Sequence, residues 1–180
     1  MKEPKFTTPE AILMFPSLFE PKAFEEGGKE TYQCILLFPK GTDISAVNNA
    51  VKECAARGLK SPSGARNPVR SGNEKVDEWG EIFRDAYYIR VSSVYQPAVV
   101  DRNKKEIVDP RDVYSGAFAR AVCRCYSYEG KFGKGVSIGF DAVQILRDGE
   151  RLGGGASSVA MFDDLPADNA SGENSFDPFA

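Results

Sequence analysis

Strict alternation over residues 117–129, AFARAVCRCYSYE, restricts the fold more than any other stretch of this 180-residue chain. Its odd positions are small and suited to a core (Ala119, Ala121, Cys123, Cys125). Its even positions are Phe118, Arg120, Val122, Arg124, Tyr126 and Tyr128. A side-chain period of two is that of a β-strand, so one face packs and the other presents Arg and Tyr. DAYYIRVSSVY alternates in the same way, with Tyr87, Ile89 and Val91 on one face and Tyr88, Arg90 and Ser92 on the other. GVSIGFDAVQIL repeats the pattern through Val136, Ile138, Phe140 and Ala142. AILMF and TYQCILLF are short apolar runs that read as strands, separated by the turn-rich PSLFEPKAFEEGG. One segment, TDISAVNNAVKECAARG, spaces Ile44, Val47, Val51 and Cys54 as a helix does, with Thr42 or Asp43 as its N-cap and Gly58 past its end. Five or six strands, one helix and no alternation of strand with helix predict a mainly β fold, a small antiparallel barrel.

Cofactor and metal chemistry is narrowly bounded. The chain has no histidine, which removes the usual general base of hydrolases and every imidazole metal ligand. Cys123 and Cys125 stand two apart on the core face of a strand, where zinc pairs use longer turns, so they and Cys34 and Cys54 read as reduced core cysteines. Asp77, Glu78, Glu81, Asp85 and Asp141 are scattered acids that read as surface groups; held together by Mg²⁺ they would serve a nuclease. RDGERLGGGASS lacks the spacing of a phosphate-binding loop and reads as a turn. No cofactor and no metal is expected. Nor is a membrane partner, since no apolar run reaches the length of a span.

The residues that do suggest a ligand are cationic and aromatic. Rings interleaved with guanidinium groups on a strand face suit single-stranded nucleic acid, because bases stack on the rings while Arg meets phosphate. Arg120, Arg124, Tyr126 and Tyr128 form such a face, joined by Tyr88 and Arg90 and by Lys131 in the following turn. The loop LKSPSGARNPVRSGNEK adds Lys60, Arg66, Arg70 and Lys75 and has no apolar period, so it is expected to be long and exposed. Its positive field would attract phosphate and make binding depend on salt. Trp79 is either a stacking platform or a packing residue.

Charge divides the chain. Five of the 26 acidic residues follow Arg151, the last basic one, so residues 1–151 carry 23 basic and 21 acidic groups, a balance of +2, against −3 for the whole. We expect one domain over residues 1–160 and a disordered acidic tail over residues 161–180. In the tail Phe176 and Phe179 stand as apolar anchors among Asp163, Asp164 and Asp177, a combination suited to a small basic pocket on a partner. A tail of opposite sign to the body can also compete with phosphate for the same groove.

FPSLFEPKAF, YQCILLFPKGTD, YSGAFARAVCRCYSYE, KGVSIGFDAVQILRDGERLGG and the acidic end together resemble the phage single-stranded-DNA-binding proteins long catalogued as a domain of unknown function and related to podovirus replication binding proteins. The likeness runs through nearly the whole folded part. It implies an OB-fold barrel that binds single strands without sequence preference and without catalysis, in the cytoplasm of an infected bacterial host. It also implies a C-terminal tail that contacts replication proteins: polymerase, helicase-primase or nuclease. The tip departs from relatives that end on phenylalanine, because Ala180 follows Phe179. Two other functions fit the residues: a metal-dependent nuclease of phage recombination, and a replication accessory protein that does not touch DNA. Oligomeric state stays open, a homodimer among the options.

Overall fold

The protein is described by a computed structural model over residues 5–23 and 26–152. Eight strands and two helices follow in order: β1 (Lys5–Thr7), β2 (Ala11–Ala23), β3 (Glu30–Phe38), α1 (Ser45–Gly58), β4 (Arg70–Ser71), α2 (Val76–Trp79), β5 (Tyr87–Ser93), β6 (Ala98–Val100), β7 (Phe118–Gly130) and β8 (Gly133–Arg147). Short 3₁₀ turns flank α2 at Gly72–Lys75 and Glu81–Phe83, and another lies at Pro110–Asp112. Strands β7, β2, β3, β5 and β8 pair in that order, and the β7–β8 hairpin closes the ring. The result is an OB-fold-like barrel.

Alternation builds the barrel as expected. Ala119, Ala121, Cys123 and Cys125 of β7 are buried with Leu13, Leu36, Phe38, Ile89, Val91, Ile138 and Phe140, whereas Arg120, Tyr126 and Tyr128 are exposed. Each large aliphatic side chain so buried contributes about 1.5–3 kcal/mol relative to leaving it in water. Helix α1 turns Val47, Val51 and Cys54 into the same core, and the Asp43 carboxylate accepts the Ser45 N–H at 3.0 Å at its start. Burial pushes the Cys34 and Cys123 thiols up, which keeps them as neutral packing groups.

Four features differ from the sequence reading. β2 does not stop at PS: it runs on through Pro16 and Pro21 to Ala23, with register shifts between Met14 and Ser17 and between Ser17 and Lys22. Prolines, which cannot donate to a ladder, are tolerated where the ladder is broken. The barrel is also not wholly antiparallel, since β8 pairs in parallel with β5 and with β6. The segment after α1 is not all loop. Arg66 is stitched to β8 (Arg66 N–H to Lys134 O, 2.9 Å; Val136 N–H to Arg66 O, 3.2 Å), and Arg70 and Ser71 form β4. Finally, a second helix is present: α2 and its flanking turns make an excursion, residues 72–86, that folds over the outside of the sheet. Beneath it lies a second core of Ile12, Met14, Ile35, Leu37, Phe83, Ala86 and Tyr88. The strands β2, β3 and β5 are therefore buried on both faces at this end. Among the described residues no helix is long and apolar enough to cross a membrane.

Candidate functional site

Beyond the edge of that excursion the outer face of the sheet is open, and its floor is largely polar. Register aligns Gly139 of β8, Ser92 of β5, Gln33 of β3 and Ser17 of β2 in one line across the barrel. Arg90 pairs with Ile35 in the adjacent line. Three cavities lie on this side and share residues. The first, about 370 Å³, is lined by Phe15, Ser17, Lys22, Gln33, Trp79 and Arg90 among others. A second, about 350 Å³, shares Trp79 and Arg90 with it and adds Arg66, Arg70, Lys75, Tyr88, Ser92 and Tyr128. The third, about 710 Å³, shares Arg66 and Tyr128 with the second and extends over the β7–β8 turn to Lys131, Phe132 and Lys134. Joined through these residues, they form one groove whose rim is cationic and aromatic.

Trp79 stands at the first junction. Its ring lies 5.3 Å from Phe15, 5.3 Å from Phe83 and 5.6 Å from Tyr88, with Lys75 Nζ 4.8 Å from its centroid. Because it ends α2, its seat depends on the excursion, and the ring is half-buried. Phe15 reaches it from β2 in a left-handed conformation, φ +50°, with its N–H donated to Ser115 Oγ at 2.9 Å. A non-glycine residue held in that region is strained, and strain of this kind concentrates at working surfaces. Arg90 is half-buried in the floor; burial draws its guanidinium below the ordinary arginine value, and nearby Tyr88 opposes the shift. Arg70 is raised by its hydrogen bond and ion pair with Glu74, at 2.9 Å, and Lys75 pairs with Glu78 at 3.0 Å. An incoming phosphate must compete with these exposed carboxylates, which are weak partners in water.

Glycine shapes the far wall. A Cβ on Gly135 would meet the Tyr128 hydroxyl at 2.7 Å and Arg66 Cβ at 2.8 Å, and one on Gly139 would meet Tyr126 Cε2 at 2.8 Å. The missing side chains let both tyrosines lean over β8.

Of the residues expected from sequence, Arg66, Arg70, Lys75, Trp79, Tyr88, Arg90, Tyr128 and Lys131 line the groove. Tyr88 needs a correction: it faces outward but is buried, because the excursion covers it and places it edge-on to Trp79 and Phe83. Tyr126 is exposed beside the floor. Lys60 is exposed near the β7–β8 hairpin, its N–H 3.4 Å from Glu129 Oε2. Arg120 is not brought to the groove; its Nε donates to Gln144 Oε1 at 2.8 Å. Arg124 is tied to Asp141 at 2.8 Å, and Lys5 reaches the same oxygen at 3.0 Å. Although partial burial works against its charge, Asp141 is held below the usual carboxylate range by these two donors. Asp163, Asp164, Phe176, Asp177 and Phe179 lie outside the described residues. Phe15, Lys22, Phe132 and Lys134 are groove residues that sequence reasoning missed. Phe132 carried a signal, an aromatic between lysines in the glycine turn EGKFGKG, whereas Phe15 looked like the end of an apolar run. Among the described residues no three His, Cys, Asp or Glu side chains converge to hold a metal.

Comparison with known proteins identifies relatives of this fold. The family model of the ssDNA-binding protein of Enterobacter phage Enc34 matches residues 5–173. The single-stranded DNA-binding protein from bacteriophage Enc34, solved in complex with ssDNA, superposes with a TM-score of 0.71 at 21% identity, over 83% of this chain and 89% of that one. Its C-terminal truncation gives 0.69 at 22% identity, over 82% and 88%. The single-stranded DNA binding protein gp2.5 of bacteriophage T7 gives 0.62 at 11% identity, over 91% and 97%. At such identities these structural likenesses are of fold. No curated protein is a significant match to the sequence.

Proposed function

The chain belongs to the family of the Enterobacter phage Enc34 ssDNA-binding protein, and from that premise we propose that it binds single-stranded DNA without sequence preference, as a coat rather than a catalyst, in phage replication or recombination. The observation that carries this reading is the continuity of the groove: three cavities linked by Trp79, Arg90, Arg66 and Tyr128 over a floor that includes Ser17, Gln33 and Ser92. An open floor with rings along one rim accepts the flat face of any base, and the cations at its edge meet phosphates that are the same in every sequence. Duplex DNA hides those base faces. Single strands are therefore expected to bind more tightly than duplex in a gel shift at matched salt, with affinity falling log-linearly as salt rises by about 0.7 per phosphate neutralised. Equal affinity for both forms, or a flat salt response, would exclude the groove as the site. Incubating labelled single strands with Mg²⁺ tests the nuclease alternative, and intact strands are expected.

The tail has a separate role in this proposal. Residues 161–180 would recruit polymerase, helicase-primase or nuclease through Phe176 and Phe179 and, through their acids, lower the affinity of the groove for DNA. Phe176→Ala with Phe179→Ala leaves the charge untouched, so the double variant should bind DNA as the parent does yet fail to capture its replication partner in a pull-down. Full capture by that variant would reduce the tail to a charged spacer.

A further inference from the structure

Two exposed apolar features lie at opposite ends of β8. At one end the β7–β8 turn presents Phe132, 98% exposed, beside Lys131, which has no ion pair among the described residues. At the other end a cavity of about 580 Å³ runs along β6, between Phe19, Pro97, Ala98, Ile107 and Val108. Val108 is 76% exposed and Tyr95, a few residues before β6, is 81% exposed. Glu106 supplies the one charge in the lining and has no ion pair among the described residues. β6 pairs with Ala142–Gln144, so about 30 Å of strand separates the turn from this cavity. No protomer can fill its own groove with its own turn.

We propose that the β7–β8 turn of one protomer seats in the β6 groove of the next, with Phe132 against Val108 and Lys131 beside Glu106. Opposite signs and matching apolar surfaces at the two ends favour a second copy of the chain as the occupant. Because donor and acceptor patches differ, the contact is heterologous and can repeat from one protomer to the next along a strand. One aromatic turn in one groove is a small interface, far below the size of stable complexes, so free protomers should stay mostly apart. Held side by side on one strand, the same patches meet at high effective concentration. The contact then appears as cooperativity of coating, a consequence that rests on the function proposed above.

Two measurements on the full chain separate the contact from that function. In the first, Val108→Asp, a change at an exposed position outside the DNA groove, should leave the melting temperature and the affinity for an oligo(dT) that holds one protomer unchanged. On long poly(dT) it should lower cooperativity about tenfold or more. Phe132→Ala should lower cooperativity as well, whatever it does to the short oligonucleotide. Wild-type cooperativity in Val108→Asp, or a wild-type protein that coats long strands without cooperativity, would overturn the proposal. In the second, isotopically light and heavy protein are mixed and treated with carbodiimide, with and without poly(dT). A Lys131–Glu106 cross-link bridging light and heavy chains in either condition supports the contact, even if the groove proves to bind something other than DNA. Its absence in both overturns it.

Discussion

Titrating oligo(dT) into the protein is expected to quench its tryptophan fluorescence, and Trp79→Ala is expected to weaken binding by roughly 5- to 150-fold, equivalent to about 1–3 kcal/mol for one base stack. The chain has a single tryptophan, so the optical signal reports one position. Trp79 stands where two segments of the groove meet, and its ring packs against Phe15, Phe83 and Tyr88 while staying only half-buried. The same packing means that truncation also costs stability, though less than the ~3–5 kcal/mol seen for fully buried aromatics. Trp79→Phe separates the two effects, since phenylalanine keeps a stacking face and much of the contact with Phe83. It should recover most of the affinity. A Trp79→Ala protein that melts earlier yet binds as tightly as the parent, with no quenching in the parent, would make Trp79 a packing residue alone.

Gly72→Ala should produce a comparable loss of affinity from a position that touches no DNA. Gly72 is buried where the excursion over the sheet closes, and its N–H donates to Ala86 O at 2.7 Å. A Cβ there would run into the Phe83 carbonyl and crowd Ala86 O at 3.1 Å, both of them backbone atoms that cannot rotate away. The excursion must then lift, which unseats Phe83 and Trp79 and exposes Ile35 and Leu37 beneath them. We expect about 2–4 kcal/mol of destabilisation, the upper range for overpacking. Strand content by circular dichroism should be retained, because the barrel interior does not share this core. Amide exchange read residue by residue should show lost protection confined to residues 72–86 and the strand positions they cover. Uniform loss across β7 and β8 would show that the two cores are not separable.

The contrast between these two variants indicates what the sequence could and could not disclose. Alternation in β7 sorted Ala121 and Cys123 from Tyr126 and Tyr128 correctly, because a period of two is a local property of the backbone. It could not say which part of the outer face would stay open. Tyr88 and Arg90 have the same parity on β5, yet one is covered and the other lies in the groove floor, and the difference is decided by a segment that arrives from outside the strand. Trp79 was open to two readings for the same reason, and it serves both. Phe15 was illegible: nothing in AILMF marks a residue whose φ turns positive, since a bulge is set by pairing with distant partners. Lys131 was legible from charge, whereas the exposure of Phe132 had to wait for the geometry of the turn.

The β2–β7 pairing has a consequence for how the chain is made. Ala11 and Ile12 find their partners at Ala119 and Phe118, and the second ladder of β7 runs out to Arg147. At ribosomal speeds of about 5–20 residues per second, roughly 5–20 s pass between the emergence of the first strand of this seam and the second. Throughout that interval Leu13, Leu36 and their neighbours have no closed barrel to enter, because β2, β3 and β5 can pair only as an open sheet. Pairings this distant in sequence make folding slow and leave strand edges open to other chains. Truncations that end before residue 147 should therefore accumulate as aggregate rather than as a smaller folded unit.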